Sequence, residues 1–282
     1  MKDLGFKQKQ FSNTSGCFLF DTHCHLGGTE LSQQSVAIVE RAMGRGVRGF
    51  CIISADEQSL IESNEQKIFL QKHFAQENLV IRSSAGIHPH DAEKLDEKGW
   101  KQVEKYAQNS EAIGETGLDY YYNHSDRKKQ IEVFEKHIEL SIRLEKPLVI
   151  HCRNAVSDVL QILEKYKNQY SMKKSPGILH CFTEDVDAAK KLIDLNFSIS
   201  FSGIVTFKNA EKIREALKMV PLSHLLIETD SPWLAPVPVR GKTNEPAFVE
   251  HVFRFVAELR TEDPEQIKEN LWRNSCEMFF SA

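Results

Sequence analysis

The residues of this chain best suited to chemistry are histidines and acids at the ends of short apolar runs. Phe20-Asp21-Thr22-His23-Cys24-His25-Leu26 places two imidazoles one residue apart. Glu115 follows Ala112-Ile113-Gly114, His151 follows Pro147-Leu148-Val149-Ile150, His180 follows Gly177-Ile178-Leu179, and Asp230 follows Leu225-Leu226-Ile227-Glu228-Thr229. Along a strand, residues two apart share a face. His23 and His25 therefore point together, with Asp21 beneath them, while Cys24 points away. The same spacing turns Cys152 and Cys181 from His151 and His180. That disfavours a zinc–thiolate cluster and leaves these thiols to packing. The remaining four imidazoles and two carboxylates suit Zn²⁺, Mn²⁺, Co²⁺ or Mg²⁺. A structural zinc closes its shell with four ligands. Six groups point instead to two divalent metal ions bridged by a carboxylate, a role that falls to Glu115.

These groups meet only if the elements bearing them converge. The sequence reads as strands over Phe18–Asp21, Val47–Ser54, Val80–Ile87, Ala112–Glu115, Pro147–His151, Gly177–His180, Phe197–Ser202 and Leu225–Thr229. Between them lie amphipathic stretches such as VAIVERAMGRG, QIEVFEKHIELSIRLEK and AEKIREALKMV. Strands alternating with helices imply parallel pairing. Eight such units fit a (β/α)₈ TIM barrel, whose active sites lie at the C-terminal ends of the strands. An open nucleotide-binding sheet is disfavoured, because no Gly-x-Gly-x-x-Gly follows any strand. With no linker-like or low-complexity block, residues 17–282 read as one barrel domain behind a polar tail at 1–16. The last helices, after Glu245, are expected to complete the outer ring.

Composition narrows the partners. A net charge of −4 over 282 residues gives no bulk basic field for duplex DNA, though a local cleft could still admit a single strand. The six cysteines include no Cys-x-x-Cys pair, which fits reduced thiols in a cytoplasmic compartment. Residues 1–16 are polar and no run approaches a membrane span, so neither a leader nor a membrane partner is expected. No obligate protein partner is implied. His73, His124, His137, His224 and His251 fall on helices or loop edges and read as surface or packing residues.

The motifs FDTHCHL, GIHPH, AIGETGLDYYY, KPLVIHCRNA, HCF, ISFSGIVTFKNA and LLIETDSPWLAPVPVRGKTNEP together resemble the TatD-type metal-dependent deoxyribonucleases, within the amidohydrolase-like barrels. The resemblance runs from about Phe18 to Phe279. It implies hydrolysis of DNA phosphodiesters, often from a 3′ end. Position by position, it implies one metal on His23, His25, Glu115 and Asp230, and a second on Glu115, His151 and His180. Asp230 is then expected to accept the proton of the attacking water, and His88 to contact the phosphate or leaving group. Glu228 would orient a histidine from behind. Arg153, Arg240 and Lys242 would position phosphates. Trp233, Phe182 and Tyr120–Tyr122 could stack on unpaired bases, with Tyr121 assigned to packing. Three positions depart from the family pattern: Glu184-Asp185 replaces a glycine, Asn154 an acid and Trp233 a tyrosine. The metal set alone also suits hydrolysis of a small ester, amide or lactone, or of an aminoacyl-RNA ester. A non-catalytic barrel that only binds a partner would be expected to have a broken ligand set, and this one is complete.

Overall fold

Runs rich in valine, isoleucine and leucine form eight strands in the computed structural model, which describes residues 18–122, 124–170 and 175–280. These are β1 (Leu19–Cys24), β2 (Val47–Ile52), β3 (Val80–Ala85), β4 (Ala112–Asp119), β5 (Leu148–Arg153), β6 (Gly177–Leu179), β7 (Ser198–Phe201) and β8 (Leu225–Ile227). Each pairs in parallel with the next, in sequence order. Both faces of the strands are buried, as helix-wrapped parallel sheets require. Helices α1 (Ser35–Gly44), α2 (Glu57–His73), α3 (Glu97–Ala107), α4 (Arg127–Leu144), α5 (Val156–Tyr170), α6 (Val186–Asp194), α7 (Glu211–Met219), α8 (Val249–Leu259) and α9 (Pro264–Phe280) surround them. The fold is the expected TIM barrel, a single domain. The tail expected at 1–16 lies outside the described residues.

Side-chain alternation divides the core in two. Phe20, Cys51, Ile53, Val80, Ala112, Val149, Ile178 and Leu226 form one cluster, which reads as the barrel interior. Their neighbours, including Leu19, Phe50, Ile52, Ile113 and Leu148, pack against the helices. α8 joins the outer layer as expected. α9 does more, because Met278 and Phe279 enter the interior cluster and Phe279 stacks on Phe20, ring centroids 5.5 Å apart. Asp56, Asp96, Asp126 and Asp185 accept first-turn N–H bonds of α2, α3, α4 and α6, the preferred way to start a helix. Asp185, where the family pattern has glycine, is thus a helix cap, and Glu184 lies 3.7 Å from Lys212.

Between β8 and β1 the regular ladder gives way to a seam. His25 N–H donates to Ser231 O at 2.8 Å and Asp230 N–H to His23 O at 2.9 Å. Cys24 forms a single bridge with Ser231. The β1 register breaks between Asp21 and Cys24, so strict alternation does not place Asp21 under the histidines. Its buried carboxylate instead accepts bonds from Thr229 N–H (2.8 Å), Thr229 Oγ1 (2.6 Å) and His23 N–H (3.3 Å).

The strand bounds differ from expectation most at β4, which runs four residues past Glu115 to Asp119. Gly114 and Gly117 resemble strand breakers but serve close packing. A Cβ on Gly114 would lie 2.4 Å from Val149 O, and one on Gly117 would lie 2.0 Å from His151 O. β6 and β8 are shorter than expected, so His180 and Asp230 stand just beyond their strands.

His137 on α4 is fully buried, which agrees with a packing role. Its Nε2 accepts the Ile87 N–H at 3.2 Å, and its Nδ1 lies 2.7 Å from Val133 O. Burial pushes its pKa down from 6.5 to about 4. The folded state therefore resists protonation that the unfolded chain accepts. Stability from this residue is complete above about pH 6.5 and is lost as pH falls toward 4, by about 3 kcal/mol in total. In urea titrations of metal-free protein, His137→Gln should lose that part of the wild-type pH slope; an unchanged slope would contradict it.

Candidate metal centre

β1, β4, β5 and the segments after β6 and β8 deliver their polar side chains to one mouth. His23 Nε2, His25 Nε2, Glu115 Oε2 and Asp230 Oδ1 converge there. Five distances among these four atoms lie between 3.1 and 3.8 Å. A regular tetrahedron with an edge of about 3.4 Å has its corners roughly 2.1 Å from its centre, the usual Zn–N and Zn–O distance. Glu115 Oε1 faces a second group: His180 Nε2 at 2.9 Å, His151 Nδ1 at 3.1 Å and His88 Nε2 at 3.5 Å. The rings of His23 and His180 stack at 3.8 Å, so the two groups adjoin.

This donor set fits cations better than it fits itself. Two imidazole nitrogens, His23 Nε2 and His25 Nε2, face each other at 3.1 Å. Buried His180 Nε2 makes no hydrogen bond of acceptable geometry although Glu115 is adjacent. Three ring nitrogens crowd one oxygen of Glu115, which has only two lone pairs to offer. Burial pushes the Glu115 carboxyl up, but the imidazoles of His180, His88 and His23 and the bond from His151 prevail, holding it well below the usual range. Burial and the neighbouring His180 outweigh Glu115 at His23 and lower its pKa, favouring the neutral ring that binds metal.

Polar groups stand behind the histidines. Glu228 is fully buried; its Oε1 accepts the Cys181 N–H at 2.7 Å and lies 3.3 Å from His180 Nδ1. Asp119, which the pattern of apolar runs does not single out, lies 3.0 Å from His151 Nε2 and 2.9 Å from His90 Nε2. The signal was present, since Asp119 stands two alternations beyond Glu115 on the same strand. Cys24 and Cys152 are buried in the outer core, as expected, whereas Cys181 Sγ pairs with Ser202 Oγ at 3.2 Å. Asn154, Cys181 and Asp230, each just past a site-bearing strand, adopt φ of 54°, 43° and 57°. Such strained conformations gather at functional sites, and asparagine tolerates them well.

A family model described as TatD related DNase matches residues 20–280. This chain belongs to the TatD family. Escherichia coli K12 "uncharacterized metal-dependent hydrolase YcfH" is 38% identical over 274 residues, covering 93% of this chain and 96% of that protein. Bacillus subtilis "uncharacterized metal-dependent hydrolase YabD" is 35% identical over 263 residues, covering 93% and 98%. The crystal structure of Escherichia coli YjjV, a TatD homologue, superposes with a TM-score of 0.81 at 24% identity, covering 94% and 99% of the two chains.

The rim of this TatD barrel is aromatic. Trp233 is 53% exposed with its ring 5.0 Å from that of His25. Tyr121 and Tyr122 are also exposed, and the Arg153 guanidinium lies over both rings, at 4.3 and 4.7 Å. Tyr121, expected to pack, is exposed, while Tyr120, expected among the stacking candidates, donates to Asp158 at 2.7 Å beneath Arg127. Phe182 is buried and is not available for stacking. Arg240 lies on the Phe207 ring at 3.5 Å. Among the described residues, no helix is long and apolar enough to cross a membrane.

Proposed function

We propose that this TatD chain is a divalent-metal-dependent hydrolase that cleaves DNA phosphodiesters, working from the 3′ end of single strands. One observation carries the reading: the two oxygens of Glu115 face two different groups of ring nitrogens. His23, His25, Glu115 and Asp230 would hold one ion, and Glu115, His151 and His180 the other. Bound there, divalent ions act as Lewis acids that lower the pKa of water and polarise a phosphoryl oxygen. The four imidazoles and Glu115 keep that chemistry fixed in a largely buried recess.

Asp230 accepts the proton as the water oxygen bonds to phosphorus and the bond from phosphorus to the 3′ oxygen of the remaining strand breaks, that oxygen taking a proton from solvent. His88, with Nδ1 accepting the His90 N–H at 3.1 Å, presents Nε2 to the phosphate or leaving group. Glu228 steadies His180 from behind. Exposed Trp233 offers a stacking face beside His25, and Arg153 and Arg240 offer phosphate contacts that read no sequence. These rim features support a nucleic-acid strand over a small ester.

Release of nucleotides from 3′-labelled single-stranded DNA tests this directly. EDTA is expected to abolish it, and Mg²⁺, Mn²⁺ or Zn²⁺ to restore it. An unchanged rate after verified metal removal would overturn the metal reading. Turnover of lactones or aryl esters with none of DNA would move the substrate to a carbonyl compound.

A further inference from the structure

Asp119 ends β4 as a fully buried carboxylate with each oxygen occupied twice. Oδ1 accepts the N–H groups of Tyr121 and Tyr122 at 2.9 and 3.1 Å. Oδ2 lies 3.0 Å from His151 Nε2 and 2.9 Å from His90 Nε2. Gln130 on α4 fixes the backbone, accepting the Asp119 N–H at 2.8 Å and donating to its carbonyl at 3.1 Å. The side chain therefore has little room to turn.

A carboxylate only accepts, so the nitrogen facing it must carry hydrogen. With an ion between Nδ1 and Glu115, Nε2 is the His151 nitrogen that faces a bare carboxylate, so it carries the hydrogen and Nδ1 keeps its lone pair for the ion. His180 is arranged the other way, with Nδ1 toward Glu228 and Nε2 toward Glu115. The two histidines thus need opposite tautomers, and a different buried acid stands behind each.

We propose that Asp119 is a positioning residue that holds His151 as the Nε2–H tautomer and turns its Nδ1 into the metal-facing donor. The inference rests on the metal reading given above. Asparagine at 119 keeps an oxygen for the tyrosine N–H groups but turns N–H₂ toward His151. That ring must then present a bare Nε2 and carry hydrogen on Nδ1, where the ion should sit. Outer partners of this kind are worth 10–100-fold in metal affinity.

The test uses the zinc-loaded protein with ¹⁵N-labelled histidine and calorimetric zinc titration. The wild type should take two equivalents, and long-range ¹H–¹⁵N correlation should place the His151 hydrogen on Nε2. Asp119→Asn should weaken one equivalent by about 10–100-fold and spare the other. Two bound equivalents with the wild-type His151 hydrogen on Nδ1 would overturn this inference alone, with no variant needed. So would Asp119→Asn binding both equivalents as tightly as the wild type. Failure of the wild type to bind zinc would overturn the metal reading and this inference with it.

Discussion

Glu115→Gln is expected to weaken metal binding more than 100-fold, beyond the range of outer hydrogen-bonding partners, and to remove hydrolysis with it. Its two oxygens face both groups of histidines. Its Oε2 stands 3.3 Å from His23 Nε2 and 3.8 Å from His25 Nε2, and its Oε1 stands within 3.5 Å of His180, His151 and His88. Glutamine has the same shape but no charge, and it aims an N–H₂ group at nitrogens that must keep their lone pairs for metal. Both ions should be lost together. Metal content after gel filtration measures this, and circular dichroism with thermal unfolding of metal-free protein checks the fold. A variant retaining two ions and normal turnover would remove Glu115 from the centre.

Asp230→Asn should behave differently: turnover falls even at matched metal occupancy. The amide oxygen of asparagine can still face His23 and His25, and asparagine accepts the 57° φ of this position. It cannot take a proton. Burial pushes the Asp230 carboxyl up, but the bond with His25 and the neighbouring imidazoles outweigh it. The group is therefore held below the usual range and stands ready as a base at neutral pH. Losing general-base assistance typically costs about 10²–10⁴-fold. Turnover of single-stranded DNA at matched metal occupancy measures it. Near-wild-type kcat would take Asp230 out of proton transfer.

These two residues and their four histidines were visible in the sequence because each sits at the end of an apolar run. Parallel topology then sends all such ends to one face. What the sequence concealed follows from close packing rather than from pattern. Gly114 and Gly117 look like a stop, yet they let β4 pass the β5 carbonyls and carry Asp119 into the mouth. Burial of Phe182 and exposure of Tyr121 depend on how loops fold over the rim, which period-two reasoning does not reach. α2 shows the same limit: Ile61, Ile68 and Phe69 are exposed while Leu60 and Leu70 are buried, so its apolar residues do not mark a single inner face.

The seam between β1 and β8 has a consequence for how the protein is made. Asp21 and Thr229 bond across 208 residues of chain, and the same seam holds His23 and His25 beside Asp230. A growing polypeptide displays the two histidines early and Glu115 midway, but Asp230 emerges only after the last strand. Contacts this distant in sequence are slow to form. Partly synthesised chains therefore carry imidazoles without an assembled centre, and hydrolytic capacity arrives only when the barrel closes.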